Sequence, residues 1–265
     1  MKHPLITLIT DFGVQDPYVA CMKGVILSTF SKARIIDITH SIDSQNILQA
    51  AYVLGTAFHH YPKGSIHVAV VDPGVGSARA PILIETGNYF FIGPDNGIFT
   101  AALQKDPALN MYALDQGKFY RKPVSHTFHG RDIFAPCAAH LASGVVANHM
   151  GSTIHKIQTL NEFELVIDKN QITGHVVHID KFGNAITNIP KKTILEIYPS
   201  NEFNAAVRDL RISEFHRTYS SVKIKEAIML FDSHDFLEFA INQGSFAKSY
   251  QIQTGDIVTV QAPQL

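Results

Sequence analysis

The sequence predicts an α/β domain followed by a mostly β domain, and three observations predict it. As far as about Gly151, short apolar runs alternate with amphipathic helical stretches, the pattern of a sheet whose strands are joined by crossover helices. Polar residues collect just past the ends of those runs, where open α/β sheets bind ligands. Beyond Gly151 the texture changes to short alternating segments separated by turn residues, which reads as strands.

Taken in order, residues 5–9 form an apolar strand that runs into Thr10-Asp11-Phe12-Gly13, and Asp16-Pro17 opens a helix over 18–30. Residues 34–38 give a second strand, and Ile47, Ala51, Leu54 and Phe58 share one face of the next helix. The apolar run 66–71 reads as a buried strand that ends in Val71-Asp72-Pro73-Gly74-Val75-Gly76-Ser77-Ala78-Arg79. Pro and Gly turn that loop sharply, so a carboxylate and a guanidinium arrive together at one strand end. A structural ion pair bracing a tight turn is the competing reading of the same residues. Residues 81–86 and 89–92 flank Gly87-Asn88, a hairpin signal that suggests a mixed sheet edge. Pro94-Asp95-Asn96-Gly97 reads as a turn by composition. After a strand over 111–114, the cluster Thr127-Phe128-His129-Gly130-Arg131-Asp132 precedes a helix over 133–141. Asp132 can serve as a cap and His129 as a structural residue, but Gly130 between polar groups permits the close approach that a pocket needs.

The predicted boundaries are a first domain over 1–151, a linker over 152–161 and a second domain over 162–265. Strands are expected over 163–167, 171–179, 185–189, 221–231 and 257–260, with one helix over 235–242. Asp180-Lys181-Phe182-Gly183-Asn184 lies between two of these strands and reads as a bulged hairpin. Phe231-Asp232-Ser233-His234-Asp235 precedes the expected late helix, with Ser233 or Asp232 as its N-cap.

Composition narrows the class of function. The chain has 265 residues, 46% of them hydrophobic, and a formal net charge of −1, enough for a sizeable core and without the basic footprint of a nucleic-acid or membrane binder. Small-molecule chemistry is favoured. The apolar runs are too short to span a membrane and the first residues lack the build of a signal peptide, so a cytoplasmic protein is expected. Cys21 and Cys137 lack CxxC spacing and are expected to be reduced, buried thiols. Asp11-Phe12-Gly13 copies a kinase tripeptide without any of its context. His126 with His129, and His175 with His178, lack the HExxH spacing, so a metal is weakly signalled.

The combination of motifs is more specific than any one of them. Thr10-Asp11-Phe12-Gly13 with Asp16, Tyr18-Val19 and Met22-Lys23-Gly24, then Asp72-Pro73-Gly74-Val75-Gly76 with Arg79, Gly93-Pro94-Asp95-Asn96-Gly97, Thr127 to Asp132 and Phe182-Gly183-Asn184 resemble, in order and in register, the S-adenosyl-L-methionine (SAM) hydroxide adenosyltransferase family. These are SAM hydrolases related to the fluorinating and chlorinating enzymes. The resemblance implies a Rossmann-like N-terminal domain, a C-terminal β-barrel domain and a homotrimer that binds SAM between one subunit's N-terminal domain and its neighbour's C-terminal domain. It implies that Asp72, Arg79 and His129 prepare a water for attack on ribose C5′, that Asp11 binds the ribose hydroxyls, and that the products are adenosine and L-methionine. Asp180 would meet the methionine amine, Phe182 the adenine face, Asn184 the adenine edge and Ser233 the methionine carboxylate. No cofactor and no metal are implied, SAM being the substrate. One segment departs from the family pattern: Asn-Ser followed by Gly two positions on is replaced by Asp232-Ser233-His234-Asp235.

Three other functions fit parts of the pattern. A halogenase would carry Tyr-Ser where this chain has His129-Gly130, and would lack the Asp72 to Arg79 loop. A SAM or adenosine sensor would have no need of the intact trio. A metal hydrolase could use Asp11, Asp72, Asp95 and His129, and a chelator would silence it.

Overall fold

The computed structural model describes residues 4–200 and 202–263, and the chain divides into two compact units, Met1–Leu160 and Asn161–Leu265. In the first unit the expected alternation is present: β1 Leu5–Thr10, α1 Tyr18–Thr29, β2 Arg34–Thr39, α2 Ile47–Ala57, β3 Ile66–Val70, β4 Pro81–Thr86, β5 Phe90–Pro94, α3 Thr100–Lys105, β6 Ala108–Ala113, α4 Ala135–Ala142 and β7 Ser152–Thr153. The strands form one sheet in the order β2-β1-β3-β5-β4-β6-β7. The pairs from β2 to β5 are parallel and the β5–β4, β4–β6 and β6–β7 pairs antiparallel, the mixed edge that the Gly87-Asn88 hairpin predicted.

Alternation along the central strands feeds both faces of this sheet. Ile6, Leu8, Ile66, Val68 and Val70 pack with Met22 and Ile26 of α1 and Cys137, Ala138 and Leu141 of α4. Ile9, Ala69 and Val71 pack on the other side with Ala50 and Leu54 of α2 and Ala102 of α3. The sheet is therefore buried on both sides, as parallel sheets are. Cys137 is buried as expected, whereas Cys21 is only half-buried.

The stretch 152–161, expected as a linker, is bonded to the first unit over most of its length. Ser152–Thr153 pairs with β6, Gln158 N donates to Asp95 Oδ1 at 2.7 Å, and Leu160 N donates to Thr100 Oγ1 at 3.0 Å. The apolar Ile154 and Ile157 of this stretch pack against the cluster that includes Ala102 of α3.

The second unit contains β8 Val166–Asp168, β9 Gln171–Ile179, β10 Ala185–Pro190, α5 Lys191–Ile197, β11 Asn204–Val207, β12 Leu210–Ile212, β13 Ala227–Phe231, β14 Phe236–Ile241, α6 Phe246–Tyr250 and β15 Ile257–Gln261. All its strand pairs are antiparallel, in the order β12-β11-β15-β9-β10-β14-β13 with β8 added on β9. A bridge between Phe215, just after β12, and Met229 of β13 brings the two ends of that order together, giving a nearly closed barrel-like sheet around Val176, Ile189, Val207, Phe239 and Val260.

The helix expected over 235–242 is instead β14. Leu237, Phe239 and Ile241 all enter the barrel core, a period of two that a strand satisfies and a helix does not. Asp235 has φ +61° in the tight turn from β13, so Asp232 and Ser233 cap no helix. Asp232 Oδ1 accepts from the backbone N–H of His234 at 2.9 Å and of Phe236 at 2.8 Å. The short helices α5 and α6 and the strands β11 and β12 went unread because each is too brief to show a period.

Candidate active site

Strand pairing brings the first polar groups together. β1 and β3 are parallel neighbours with Thr10 opposite Val70, so the residues that follow them, Asp11 and then Asp72, emerge at the same sheet edge. His129 arrives there from the third chain segment, immediately before a π-helical turn Gly130–Phe134 that leads into α4. In that turn Ala135 N bonds back to Gly130 O, the wide winding often found at functional sites. Asp132, expected as a possible cap, sits inside the turn and is fully buried. Its carboxylate accepts from Arg131 Nε at 2.7 Å, Arg121 Nη1 at 3.1 Å and Ser125 N at 2.9 Å, and these donors hold its pKa below the ordinary carboxylate range against burial.

These segments surround a cleft of about 480 Å3 whose lining includes Asp11, Gln45, Asp72 and His129. Phe12, Tyr18 and Phe128 wall it, with ring centroids 5.3 to 5.9 Å apart. Phe128 was legible within the polar cluster. Gln45, with φ +67°, carried no signal in the sequence.

Arg79 links the two groups on either side of it. Its Nε donates to Asp72 Oδ1 at 3.0 Å and its Nη2 to Asp72 Oδ2, a bidentate pair with side chains only 10% and 6% exposed. The same Nη2 donates to His129 Nδ1 at 2.9 Å, and Phe134 lies beneath the guanidinium at 5.4 Å. Nη1 is buried without a hydrogen-bond partner among the described residues. A guanidinium can only donate, so Nδ1 of His129 is the acceptor and the ring proton sits on Nε2. Burial first, then the positive charge of Arg79, lowers the His129 pKa, opposed by Asp72 and Asp132. His129 is thus kept neutral, as a donor at Nε2.

Asp11 accepts from Gln45 N through Oδ2 at 2.9 Å and lines the cleft. Asp95 and Asn96 are committed to the backbone: Asp95 accepts from Gln158 N, and Asn96 Nδ2 donates to Val71 O at 2.8 Å. Among the described residues, no group of three or more His, Cys, Asp and Glu side chains is placed to hold a metal ion. No helix among the described residues is long and apolar enough to cross a membrane.

The other predicted residues belong to the second unit. Asp180 folds the β9–β10 turn around itself: Oδ1 accepts from Phe182 N at 2.9 Å and Asn184 N at 2.8 Å, and Oδ2 from Asn184 Nδ2 at 3.1 Å. Gly183 takes φ +84° there, and an added Cβ would overlap Ser245. Phe182 is left 75% exposed at the tip. Ser233 is exposed in the β13–β14 turn. Glu238 of β14, which the sequence did not single out, is buried beside both turns. It accepts from Tyr219 Oη at 2.8 Å, and burial, with Asp232 and Asp180 nearby, raises its pKa to about 7.

The chain matches the SAM hydroxide adenosyltransferase N-terminal domain over residues 6–151 and the SAM hydroxide adenosyltransferase C-terminal domain over residues 174–259. It is 33% identical over 257 residues to an (R)-S-adenosyl-L-methionine hydrolase of Thermus thermophilus, covering 94% of this chain and 96% of that one. With a hydrolase of the same name from Methanocaldococcus jannaschii it shares 37% identity over 246 residues, 89% of this chain and 88% of the relative. Similarity to a fluorinase of Nocardia brasiliensis is lower, 23% over 293 residues, 98% of this chain and 97% of the relative. Among solved structures, an uncharacterized conserved protein from Thermotoga maritima superposes with a TM-score of 0.89 at 31% identity, over 97% of this chain and all of that one.

Proposed function

The chain belongs to the SAM hydroxide adenosyltransferase family, and on that premise we propose that it hydrolyses S-adenosyl-L-methionine to adenosine and L-methionine. The observation that carries the reading is the Asp72–Arg79–His129 constellation at the edge of a cleft walled by aromatic rings. In the reaction the oxygen of a water or hydroxide attacks ribose C5′, the C5′–S bond breaks with its electron pair passing to sulfur as the thioether of methionine, and the proton that a water gives up leaves to solvent. Joining an anionic oxygen to a cationic substrate destroys charge, so a poorly hydrated pocket lowers the barrier relative to water. Arg79 Nη1 and His129 Nε2 are both donors, suited to an oxygen that bears negative charge. Asp72 fixes the guanidinium and offsets its repulsion of the sulfonium. Holding the oxygen in line with the C5′–S bond supplies effective molarity.

Asp11, one Oδ already anchored by Gln45 N, is proposed to bind the ribose hydroxyls. Asp180, Phe182, Asn184 and Ser233 are proposed to bind the amine, the adenine and the methionine carboxylate of a SAM held by a neighbouring subunit in a homotrimer. The exposure of Phe182 supports this, since an aromatic face at a turn tip is otherwise costly to leave in water. The reaction is proposed to need no metal or cofactor.

The test is incubation of purified protein with SAM, and separately with the (R) form named for the relatives, with and without halide and with and without a chelator. Adenosine and methionine in equal amounts, unaffected by chloride, fluoride or chelator, are expected. A 5′-halo-adenosine as the main product, or no turnover of either form, would refute the proposal.

A further inference from the structure

Resting on the reading of Arg79 and His129 as the pair that holds the attacking oxygen, we propose that Gly76 is a positioning residue whose bare α-carbon lets the 72–79 loop close on the His126 carbonyl, and that this contact sets the separation of Arg79 from His129. Gly76 has φ +76°, and an added Cβ would overlap the His126 oxygen. The contact joins two loops that come from different strands and that Arg79 also bridges through its bond to His129.

Neither side of the contact can relax by local deformation. The His126 loop is wound around Asp132, which accepts from Arg121 N at 2.9 Å through its backbone oxygen and donates its own N–H to Phe128 O at 3.1 Å, besides the carboxylate bonds to Ser125, Arg121 and Arg131. The Gly76 loop is held as a unit by Val75 N to Asp72 O at 3.2 Å and Ser77 N to Gly74 O at 3.0 Å. A side chain at Gly76 therefore displaces the loop as a body, and Arg79, three residues on, moves with it. The 2.9 Å bond from Arg79 Nη2 to His129 Nδ1 is the first thing that such a shift breaks, because hydrogen bonds fail within a few tenths of an ångström of that length.

The consequence is measurable on the histidine itself. His129 is faced by Arg79 and His126, which lower its pKa, and by Asp72 and Asp132, which raise it, in addition to burial. Asp72 leaves with Arg79, but the lowering by Arg79 is the larger of the two effects, so withdrawing the loop lets the titration midpoint rise. Gly144 supplies the control: it has φ +107° with nothing within 4 Å of an added Cβ, so Gly144→Ala imposes left-handed strain without a clash.

The experiment follows the His129 imidazole by NMR across pH, assigned against His129→Gln, alongside SAM turnover. Gly76→Ala is expected to raise the His129 midpoint and to lower kcat about 10-fold or more with KM nearly unchanged. Gly144→Ala is expected to lose thermal stability while keeping the wild-type midpoint and kcat. A folded Gly76→Ala protein with wild-type midpoint and kcat, or a Gly144→Ala protein with the same midpoint shift, overturns the proposal. If Gly76→Ala does not fold, one glycine inserted between Ser77 and Ala78 uncouples the contact from Arg79 without a clash and must raise the midpoint; an unchanged midpoint there overturns it. A wild-type protein that turns over no SAM refutes the hydrolase reading and still leaves the histidine titration to decide this one.

Discussion

At the scale of single residues, some groups of the cleft are proposed to perform chemistry and others to bind, and their replacements should fail differently. Arg79→Ala or His129→Ala should lower kcat by roughly two orders of magnitude or more, with SAM affinity changed much less. Asp11→Asn should mainly weaken binding. If Asp72 and Arg79 merely braced their turn, Asp72→Ala and Arg79→Ala would lower thermal stability together and leave the turnover of the folded fraction nearly intact. Calorimetric binding and single-turnover rates on these four variants decide between the two, and a folded Arg79→Ala protein with normal turnover removes the catalytic assignment. The pH profile carries the same logic. If His129 works as the neutral ring, then because burial and Arg79 lower its pKa, the acid limb of kcat should lie below the ordinary imidazole range and should move up when Arg79 is removed.

At the scale of elements, what was legible in the sequence depended on whether a segment's period outlasted its length. The strands of the first unit announce themselves by apolar runs and their loops by Pro, Gly and acid, so Asp11, Asp72 and His129 could be placed before any coordinates. β14 could not, because Phe236 to Ile241 is apolar at nearly every position and only partners at Ala185 and Met229 reveal which residues face inward. Glu238 was hidden by the same error. In the fold its carboxyl keeps its proton up to about 7, against a usual 4.5. Between those values the native chain holds a proton that the unfolded chain has released, so stability falls as pH rises across that window. Glu238→Gln can still accept from Tyr219 and has no proton to lose. It should remove a decline of roughly 3 kcal/mol at most, seen as urea midpoints that no longer fall between pH 5 and pH 8. A decline left unchanged by the substitution would mean that Glu238 is not its source.

At the scale of the whole molecule, the proposed substrate contacts are divided between two compact units, and the chemistry of each half is incomplete. The cleft of the first unit is lined by Asp11, Asp72 and His129, with Arg79 bonded to the last two, but by none of the groups proposed for adenine or for the methionine end. Those lie on the β9–β10 and β13–β14 turns of the second unit, where Asp180 and Asn184 are fixed by each other and Phe182 stands in solvent. If a neighbouring subunit supplies the second set, a dissociated chain has half a site, and activity should fall on dilution below the assembly range. Mixed assemblies make the sharper test. Asp72→Ala chains carry sound substrate-binding turns, Asn184→Ala chains carry a sound trio, and either alone should be nearly inactive or weak. Reassembled together, they form some interfaces in which an unaltered trio faces an unaltered turn, so activity should rise above both parents in proportion to that fraction. A site completed within one chain cannot be repaired this way, because every chain in the mixture still carries its own lesion. Activity that stays between the two parents at all mixing ratios would therefore place both halves of the site in a single subunit.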